Sequence, residues 1–525
     1  MSKTPVWMKI MSDPASYPHM VDNVPVIQTH ISWVFLAGER VYKIKKPVDF
    51  GFLNFTTLDK RHHFCQEELR LNRRLCEEIY LDVWPVTKDN GQIRINGTGT
   101  PIEWAVVMKR MPEKGMMVYL LSENMIGNAE IDAIVSILVP FYKKAAAGQE
   151  IKNFGSIEII SQNTEENFDQ TTDFIGNLIE ETAYSHICNY TRSFIDQNKR
   201  LFQSRIEKDF IREGHGDLYS ANICFDKINN AVYVFDCIEF NKRFRCGDIA
   251  SDVAFLAMDL DYHGLPTLSN YFVRSFSDLI GDAQLLELMD FYKCYRAYVR
   301  GKIGCFTWAS DGIDTETKED VGRQASQYFR LALNYAGGID APDLYVFFGL
   351  SGTGKSTVAS AWANDHRLPF YNSDRVRKES VAGIPSKERH WEPFDQGIYS
   401  REHTLKTYKA LACHAGRHLM QGESVILDAT YRDKEERLRL LDLAREAKAN
   451  IHFILCTCPE HEIKGRLIQR ARIKTHVSDG RWDIYLKQKE KFAPTDDLDK
   501  DNLMILSTDR SLHETLHELN EHFRC

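Results

Sequence analysis

The sequence predicts an α+β part with two lobes, followed by an α/β part built on a parallel sheet. Two patterns in the 525 residues lead to this fold class. Up to about residue 111, short β-like runs surround one helix, and the chain then becomes mostly helical to about residue 336. After residue 343, strand-like and helix-like stretches alternate, which is typical of a parallel sheet covered by helices.

The first part divides into a small lobe over about 26–111 and a larger lobe over about 112–336. The small lobe contains β-like runs at 33–37, 40–44 and 104–108 and one helix near 58–78. The larger lobe is helical except around 211–240, where short strands interrupt it. We therefore assign residues 1–336 to a first, bilobal α+β domain.

A linker is predicted at 337–343, where the sequence is GGIDAPD. Glycine pairs, proline and aspartate are typical of turns and loops. Beyond it, residues 344–525 form the predicted α/β domain, with the alternating segments 344–349, 355–365, 369–373, 396–421, 424–428, 433–448, 451–457, 461–473 and 503–508.

Composition excludes several classes of protein. The chain has 66 basic and 74 acidic residues and is 43% apolar, so it is neither a disordered tail nor a collagen-like chain. From Ala341 onward 29 basic and 28 acidic residues nearly balance, so the acidic excess belongs to the first domain. A nucleic-acid-coating surface along the whole chain is therefore not favoured, although a local basic groove stays possible.

The sequence predicts a protein of a reducing compartment that does not span a membrane. The twelve cysteines are scattered and form no CxxC pair, which indicates reduced core cysteines. Residues 1–13 lack an apolar core of signal-peptide length, and no apolar run reaches 18 residues. We expect a soluble, cytoplasmic protein with no membrane partner.

The clearest motif is GLSGTGKS at 349–356, which matches the phosphate-binding pattern GxxxxGK[ST] between a strand and a helix. Backbone N–H groups of such a loop wrap phosphates, and the following helix adds its positive dipole end. The pattern assigns phosphate contact to Lys355 and Mg²⁺ binding to Ser356. The predicted ATP-binding residues are Gly349, Ser351, Gly352, Thr353, Gly354, Lys355, Ser356 and Thr357.

Two carboxylates follow strands of the same predicted sheet, on the ligand side of its edge. Asp374 could orient or deprotonate an acceptor hydroxyl, with Arg377 holding an anionic group, or it could cap the helix that follows. Asp428 ends the run SVILD and suits a role in binding Mg²⁺ or its waters.

Three arginines lie on or just after a helix that begins near Pro459. Arg466 and Arg470 are one turn apart, and Arg472 follows. They could close over ATP and stabilise the transferring phosphoryl group, for which we select Arg470. A solvated basic face is the alternative.

The segments GLSGTGKS, NSDRVRKE, ILDAT and RLIQRAR resemble small P-loop kinases, in the branch near polynucleotide kinase, zeta toxin and gluconate kinase. The spacing of Asp374 and Arg377 is similar to that in polynucleotide kinase. This resemblance implies that Asp374 is the general base and that Arg377 holds a substrate phosphate. Small-molecule kinases keep an aspartate there too.

A second motif, HGDLYSAN at 215–222, has the HxDxxxxN spacing of kinase catalytic loops. Asp217 would then be the base near the acceptor hydroxyl, and Asn222 would bind Mg²⁺ through its amide oxygen. Fourteen residues after Asn222, a strand delivers Asp236 as the second metal ligand.

The small lobe supplies a candidate phosphate-binding lysine in the strand VYKIK. Lys43 and Lys45 point to the same face of that strand, and we prefer Lys43 while Lys45 stays a competitor. In the helix near 58–78, Phe64, Glu68 and Leu71 share one face. A carboxylate on an apolar face needs a partner, so Glu68 is the predicted partner of the lysine.

Together with YKIKKPVDFGFLNF, EELRLNRRL and FDCIEFNKRFR, these features resemble the aminoglycoside phosphotransferase-like kinases over roughly 26–335. The whole chain resembles the bifunctional aminoglycoside phosphotransferase/ATP-binding protein family, in which this domain is fused to a P-loop kinase. The resemblance implies a bilobal protein-kinase-like domain followed by a P-loop kinase domain. Asp259 and Asp261 could face a cationic or polyol substrate or could instead cap a helix end, and Asp248 is expected to brace the catalytic loop.

The leading hypothesis is a bifunctional ATP-dependent phosphotransferase with two separate ATP–Mg²⁺ sites that act on hydroxyl groups of small molecules. One alternative is a nucleic-acid 5′-hydroxyl kinase in the C-terminal domain. Another is a toxin-like or regulatory kinase that acts on a protein or a nucleotide-sugar. The acceptors and the oligomeric state stay open.

Overall fold

The computed structural model describes residues 6–310, 312–386, 396–471 and 481–523. Residues Met1–Gln170, Asn189–Leu256 and Phe272–Arg296 group into one compact unit. Residues Thr171–Cys188, Ala257–Tyr271 and Ala297–Cys525 group into the other. The predicted linker at 337–343 lies inside this second unit.

The small lobe is a six-stranded antiparallel sheet with one long helix, as predicted. The strands lie in the order β1-β2-β3-β6-β4-β5. Its elements are α1 (Val6–Met11), β1 (Val26–Gln28), β2 (Ser32–Ala37), β3 (Arg40–Lys45), α2 (Leu58–Cys76), β4 (Tyr80–Asp89), β5 (Gln92–Ile95) and β6 (Thr100–Lys109).

Helix α2 positions the predicted glutamate because one of its faces is buried. The hydroxyl of Thr57 caps the helix by accepting the N–H of Lys60. Glu68 and Leu71 are fully buried on the inner face, whereas Glu67 is partly exposed. The periodicity that selected Glu68 is therefore confirmed.

The helical part that follows contains two short two-stranded sheets, and the catalytic-loop motif lies between the first strand of each. Strand β7 pairs with β10, and β8 pairs with β9, both antiparallel. The elements are α3 (Met117–Ser122), α4 (Asn128–Lys144), α5 (Gln149–Lys152), α6 (Ile157–Asp169), α7 (Glu181–Gln197), α8 (Lys199–Glu207), β7 (Ile211–Glu213), β8 (Ile223–Asp226), β9 (Ala231–Val234), α9 (Lys242–Arg245), β10 (Cys246–Asp248), α10 (Ile249–Tyr262), α11 (Pro266–Ile280), α12 (Met289–Trp308) and α13 (Thr315–Tyr335).

The C-terminal part has the predicted five-stranded parallel sheet, in the order β12-β13-β11-β14-β15. Helices α19 and α20 were not predicted. The elements are β11 (Asp343–Phe348), α14 (Lys355–His366), β12 (Phe370–Asn372), α15 (Ser373–Val376), α16 (Arg401–Met420), β13 (Val425–Asp428), α17 (Lys434–Glu446), β14 (Asn450–Thr457), α18 (Glu460–Ala471), α19 (Trp482–Glu490), β15 (Leu503–Ser507) and α20 (Leu512–Phe523).

Strand register brings the candidate residues of this sheet to one edge. Phe347 of β11 pairs with Asp428 of β13, and Asn372 of β12 pairs with the same aspartate. The loop after β11 therefore begins next to Asp428, where ligands bind in open parallel sheets. In the described part of the chain, none of the helices is long and apolar enough to span a membrane.

Candidate active sites

Lys43, Glu68 and Asp236 meet in the first unit, although 193 positions separate the lysine from Asp236. The Nζ of Lys43 lies 2.9 Å from Glu68 Oε1 and 2.5 Å from Asp236 Oδ1. Burial alone would lower the pKa of Lys43, but the carboxylates of Asp236 and Glu68 raise it well above its usual value. The lysine is therefore a fixed cation next to a partly exposed carboxylate.

Lys45, the competing lysine, is fully buried behind Lys43. Its Nζ lies 2.7 Å from the second oxygen of Glu68 and also contacts Glu239. Burial would raise the pKa of Glu68, yet Lys43 and Lys45 hold it at about 2. The contact with Asp236 distinguishes Lys43 and supports the preference for it as the nucleotide-facing lysine.

The catalytic-loop motif forms a compact turn between β7 and β8. Asn222 donates from Nδ2 to the backbone oxygen of Asp217 at 2.9 Å and to its carboxylate at 3.0 Å. Asp217 itself is half-buried. The motif thus places the amide of Asn222 against the proposed base.

The ring of His215 holds this loop in place through two hydrogen bonds. Its Nε2 lies 3.0 Å from the carbonyl oxygen of Phe235, and its Nδ1 accepts the N–H of Asp217 at 3.2 Å. These contacts fit a neutral ring that is protonated at Nε2. Burial lowers the pKa of His215 to about 4, so the ring stays neutral near pH 7.

The residue that braces the catalytic loop is Asp252, and the expectation for Asp248 was wrong. Asp252 accepts the backbone N–H groups of His215 at 2.7 Å and Gly216 at 3.0 Å. Asp248 instead forms a buried ion pair with Arg205. The two aspartates lie one helical turn apart in DIASD, so sequence spacing could not choose between them.

The residues proposed to bind the metal in the first unit offer oxygen atoms as ligands. The Phe235 N–H donates to the Asn222 carbonyl at 3.0 Å, which brings Asn222 beside the residue that precedes Asp236. The Asp236 side chain is 42% exposed, so its carboxylate is open to a ligand. An amide and a carboxylate oxygen fit Mg²⁺, which prefers hard oxygen ligands.

Asp259 and Asp261, proposed for the substrate, are both almost completely buried. Asp261 accepts the hydroxyl of Tyr335 at 2.5 Å, and Asp259 lies 3.9 Å from the ring of His263. These contacts belong to the packing of the second unit. They do not support contact between either carboxylate and a dissolved acceptor.

A cavity of about 50 Å³ lies behind the catalytic loop, where Gly214 and Asp252 form part of its wall. Aromatic rings line much of the remainder, among them Phe244 and Tyr295. Asn163 also lines it, and its buried Oδ1 has no hydrogen-bond partner among the described residues. A cavity of this size and polarity can hold a few water molecules or a small polar group.

The phosphate-loop motif joins β11 to α14 with the expected backbone. Gly352 and Gly354 both have φ of +88°, and α14 begins directly at Lys355. A residue with a Cβ at position 354 would be strained and would crowd the Thr508 hydroxyl. The loop therefore delivers Lys355 and Ser356 at the first turn of a helix, where anions bind.

The other predicted loop residues differ in exposure. Ser351 and Thr353 are buried, whereas Thr357 is exposed on α14. The Thr353 hydroxyl donates to the Leu350 carbonyl at 2.9 Å, so it stabilises the loop itself. Sequence reasoning missed Gln488 of α19, whose Oε1 accepts the Ser351 N–H at 3.0 Å.

Asp428 lies fully buried at the end of β13, and its two carboxylate oxygens differ in their hydrogen bonds. Its Oδ2 accepts Nδ2 of Asn372 at 2.6 Å, and the same Nδ2 lies 3.4 Å from Ser356 Oγ. Its Oδ1 is buried without a hydrogen-bond partner in the described residues. Burial raises the pKa of Asp428. An orphaned carboxylate oxygen beside a serine hydroxyl fits the proposed Mg²⁺ site.

Asn372, which the motifs did not single out, is also the residue that caps α15. Its Oδ1 accepts the Arg375 N–H at 3.1 Å, so the capping alternative considered for Asp374 is not what the structure shows. Asp374 is half-buried, and its charge contributes to the raised pKa of Asp428. The two carboxylates thus belong to one edge of the sheet.

The candidate arginines are placed differently from one another. Arg377 is 7% exposed and donates to the Ile398 carbonyl and the Thr404 hydroxyl. Arg466 donates to the Thr508 carbonyl at 2.5 Å, beside the phosphate loop. Arg470 is half-buried near the end of α18, and Arg472 lies outside the described residues.

Comparison with known proteins matches the C-terminal part to a family model and most of the chain to relatives. A family model described as an AAA domain matches residues 344–495, which confirms the expected P-loop domain in the C-terminal part. An uncharacterised protein of Mycobacterium tuberculosis (strain ATCC 25618 / H37Rv) is 28% identical over 461 residues, covering 86% of this chain and 88% of the relative. A Mycobacterium bovis protein matches with the same figures, so the similarity extends through both parts.

Solved structures are also similar to portions of the chain. Spectinomycin phosphotransferase, solved with ADP and spectinomycin, covers 64% of this chain and 98% of its own length, with 11% identity and a TM-score of 0.36. A Mycobacterium tuberculosis APS kinase, solved with AMPPNP and APS, covers 36% of this chain and 99% of its own, with 17% identity and a TM-score of 0.26.

Proposed function

We propose that the chain is a bifunctional ATP-dependent phosphotransferase that acts on hydroxyl groups of small molecules. One ATP–Mg²⁺ site is assigned to the domain over 1–336 and the other to the domain over 344–525, with 337–343 as the linker between them. The observation that carries the proposal is the contact of Lys43 with both Glu68 and Asp236, because it brings together a lysine, its glutamate partner and an exposed carboxylate, the groups with which kinases bind ATP phosphates and metal.

At the first site, Lys43 would contact the α- and β-phosphates while Glu68 holds the lysine in place. Asp217 would orient the acceptor hydroxyl and accept its proton as the hydroxyl oxygen attacks the γ-phosphorus. The bond between the γ-phosphorus and the bridging oxygen breaks, and ADP leaves. Mg²⁺ held by Asn222 and Asp236 would neutralise phosphate charge.

At the second site, the N–H groups of the loop 349–356 and the Lys355 ammonium would cradle the phosphates. Ser356 and Asp428 would hold Mg²⁺, and Asp374 would orient the acceptor hydroxyl as its base. Arg377 would face an anionic group of the acceptor, and Arg470 would stabilise the transferring charge. The roles of Lys355, Ser356, Asp374 and Asp428 rest on their placement along one edge of the sheet. Those of Arg377 and Arg470 rest on the sequence motifs.

The two sites are tested with single variants of the full chain. Lys355→Ala and Asp217→Ala should each remove one ATP-dependent activity, with a loss of about 100-fold or more, and leave the other unchanged. The measurement is the appearance of phosphorylated products when wild type and each variant are incubated with ATP and a metabolite extract. Lys434→Ala, at an exposed position of α17, serves as the control and should retain both activities.

Two outcomes of this experiment would contradict the proposal. Loss of both activities in either variant would show that two independent sites do not exist. Phosphate transfer to 5′-hydroxyl oligonucleotides, abolished by Lys355→Ala, would replace the small-molecule acceptor of the second site by nucleic acid.

A further inference from the structure

Lys45 and Glu239 form a second buried ion pair directly beside the pair of Lys43 and Asp236. We propose that Lys45 and Glu239 are positioning residues, which hold the segment 236–239 so that Asp236 is set to bind Mg²⁺. The proposal rests on the function proposed for the first site. It concerns two residues for which phosphate binding itself assigns no role.

The two ion pairs lie side by side because their residues are similarly spaced along the two segments. Lys43 and Lys45 lie two residues apart on β3 and share a face, whereas Asp236 and Glu239 lie three residues apart after β9. Glu68 joins the pairs, with one oxygen on each lysine. A shift of Glu239 away from Lys45 would therefore also move Asp236 relative to Lys43.

The backbone of this segment is held by the elements that carry the other site residues. The Cys237 N–H donates to Asn72 of α2 at 2.9 Å. The Ile238 N–H donates to the His215 carbonyl of the catalytic loop at 3.1 Å. The Lys45–Glu239 pair adds a tie to β3, so all three neighbouring elements fix the segment.

Charge explains why a second lysine is needed. Glu68, Asp236 and Glu239 place three carboxylates around Lys43 and Lys45, and a single lysine would leave an excess of two negative charges there. Lys45, which is fully buried, compensates Glu68 and Glu239. The partly exposed pair of Lys43 and Asp236 then remains available to phosphate and metal.

Burying such a pair is costly, and apolar replacements are often neutral or stabilising for a fold. Stability alone is therefore a weak reason to keep Lys45 and Glu239. An aromatic contact also links the loop before α2 to the residues that follow Glu239. Phe52 of this loop packs on Phe240 and Phe244, with ring centres 6.0 and 6.1 Å apart.

The experiment separates positioning from mere structure by removing both charges at once. All variants are made in a Lys355→Ala chain, so that nucleotide binds only at the first site. Lys45→Met and Glu239→Gln should each lower the Tm, and the double variant Lys45→Met/Glu239→Met should recover most of that loss. The double variant should nevertheless need an Mg²⁺ concentration about 10-fold or more above that of the Lys355→Ala parent for half-saturation of ATP binding.

Recovery of both the Tm and the Mg²⁺ requirement in the double variant would overturn the proposal. If the double variant does not fold, Glu239→Gln, which removes one charge of the pair, should still raise the Mg²⁺ requirement, and an unchanged requirement would overturn the proposal. The control is Glu103→Gln, which breaks the buried Arg61 pair of the same lobe and should change the Tm alone. If the parent binds no Mg²⁺–ATP, the first site itself is wrong and this proposal falls with it.

Discussion

His215 connects the proposed base to the metal-binding segment without reacting itself. The ring bridges the backbone of Asp217 and that of Phe235, the residue before Asp236. The contact with Asp217 depends on a neutral ring, since a protonated Nδ1 could no longer accept the Asp217 N–H. The protonation of one buried histidine is thus linked to the geometry of the catalytic loop.

We predict that His215 makes the fold less stable as the pH falls. Its pKa is lowered from an ordinary 6.5 to about 4, so in this window the unfolded chain binds a proton that the folded chain does not. Between pH 8 and pH 5 the folded state should lose about 2 kcal/mol through this group. His215→Gln lacks the group, so its stability deficit relative to wild type should shrink by about that amount at pH 5.

The measurement is chemical denaturation of both proteins at pH 8 and pH 5. His522→Gln, at an exposed position of α20, is the control and should follow the wild-type dependence. An equal deficit of His215→Gln at both pH values would show that His215 is protonated in the folded state near pH 5.

The individual residues that sequence reasoning identified share one property, a fixed spacing within a motif. The contacts of Glu68 and Asn222 follow from helix periodicity and loop spacing, and the structure shows both. Asn372, Gln488 and Asp252 were missed because their partners lie far away along the chain. Their roles depend on strand register and helix packing, which no local pattern contains.

Among the elements, α16 packs unusually closely on the turn that follows α10. A Cβ on Gly416 of α16 would overlap the carbonyl of Gly264, and a Cβ on Gly264 would overlap the carbonyl of Cys413. The His263 carbonyl accepts the Cys413 thiol at 3.1 Å and the Arg417 guanidinium at 3.3 Å. Two glycines thus allow backbone-to-backbone contact within the second unit.

We predict that Gly416→Ala destabilises the protein by about 1–3 kcal/mol, because the methyl group forces the two backbones apart. Gly465→Ala, in the interior of α18 with no atom within 4 Å of the new Cβ, should instead stabilise it by about 0.5–1 kcal/mol. Both changes give the helix the same gain in propensity, so their difference measures the close approach. Equal stability of the two variants by thermal unfolding would contradict this packing.

The elements themselves were more predictable than their partners. Alternation predicted all five strands of the parallel sheet, because buried parallel strands are short continuous apolar runs. Helix α19 was missed since its sequence, WDIYLKQKE, is short and mostly polar. It nevertheless supplies Gln488 to the phosphate loop, a role that only the tertiary structure reveals.

At the scale of the whole molecule, the residues around the predicted linker contact the segment 420–423. Asp340 and Ala341 are exposed, as expected for a linker, but Ile339 packs closely on Gly422. On either side, Arg330 of α13 pairs with Glu423 at 2.7 Å, and Asn334 donates to the Met420 carbonyl at 2.9 Å. Composition predicted a linker there, yet it carried no information on these contacts.

We therefore predict that a chain cut between Asp340 and Ala341 stays together. A protease recognition sequence inserted at this exposed position should allow complete cleavage, and both pieces should still co-elute on size exclusion at low micromolar concentration. Arg330→Glu, which sets two acidic groups against each other, should weaken the association several-fold because it replaces attraction by repulsion at Glu423. Arg323→Glu changes an exposed arginine of the same helix and should have no effect. Separate elution of the two pieces after cleavage, without any variant, would show that the contacts of α13 with 420–423 do not hold the C-terminal part in place.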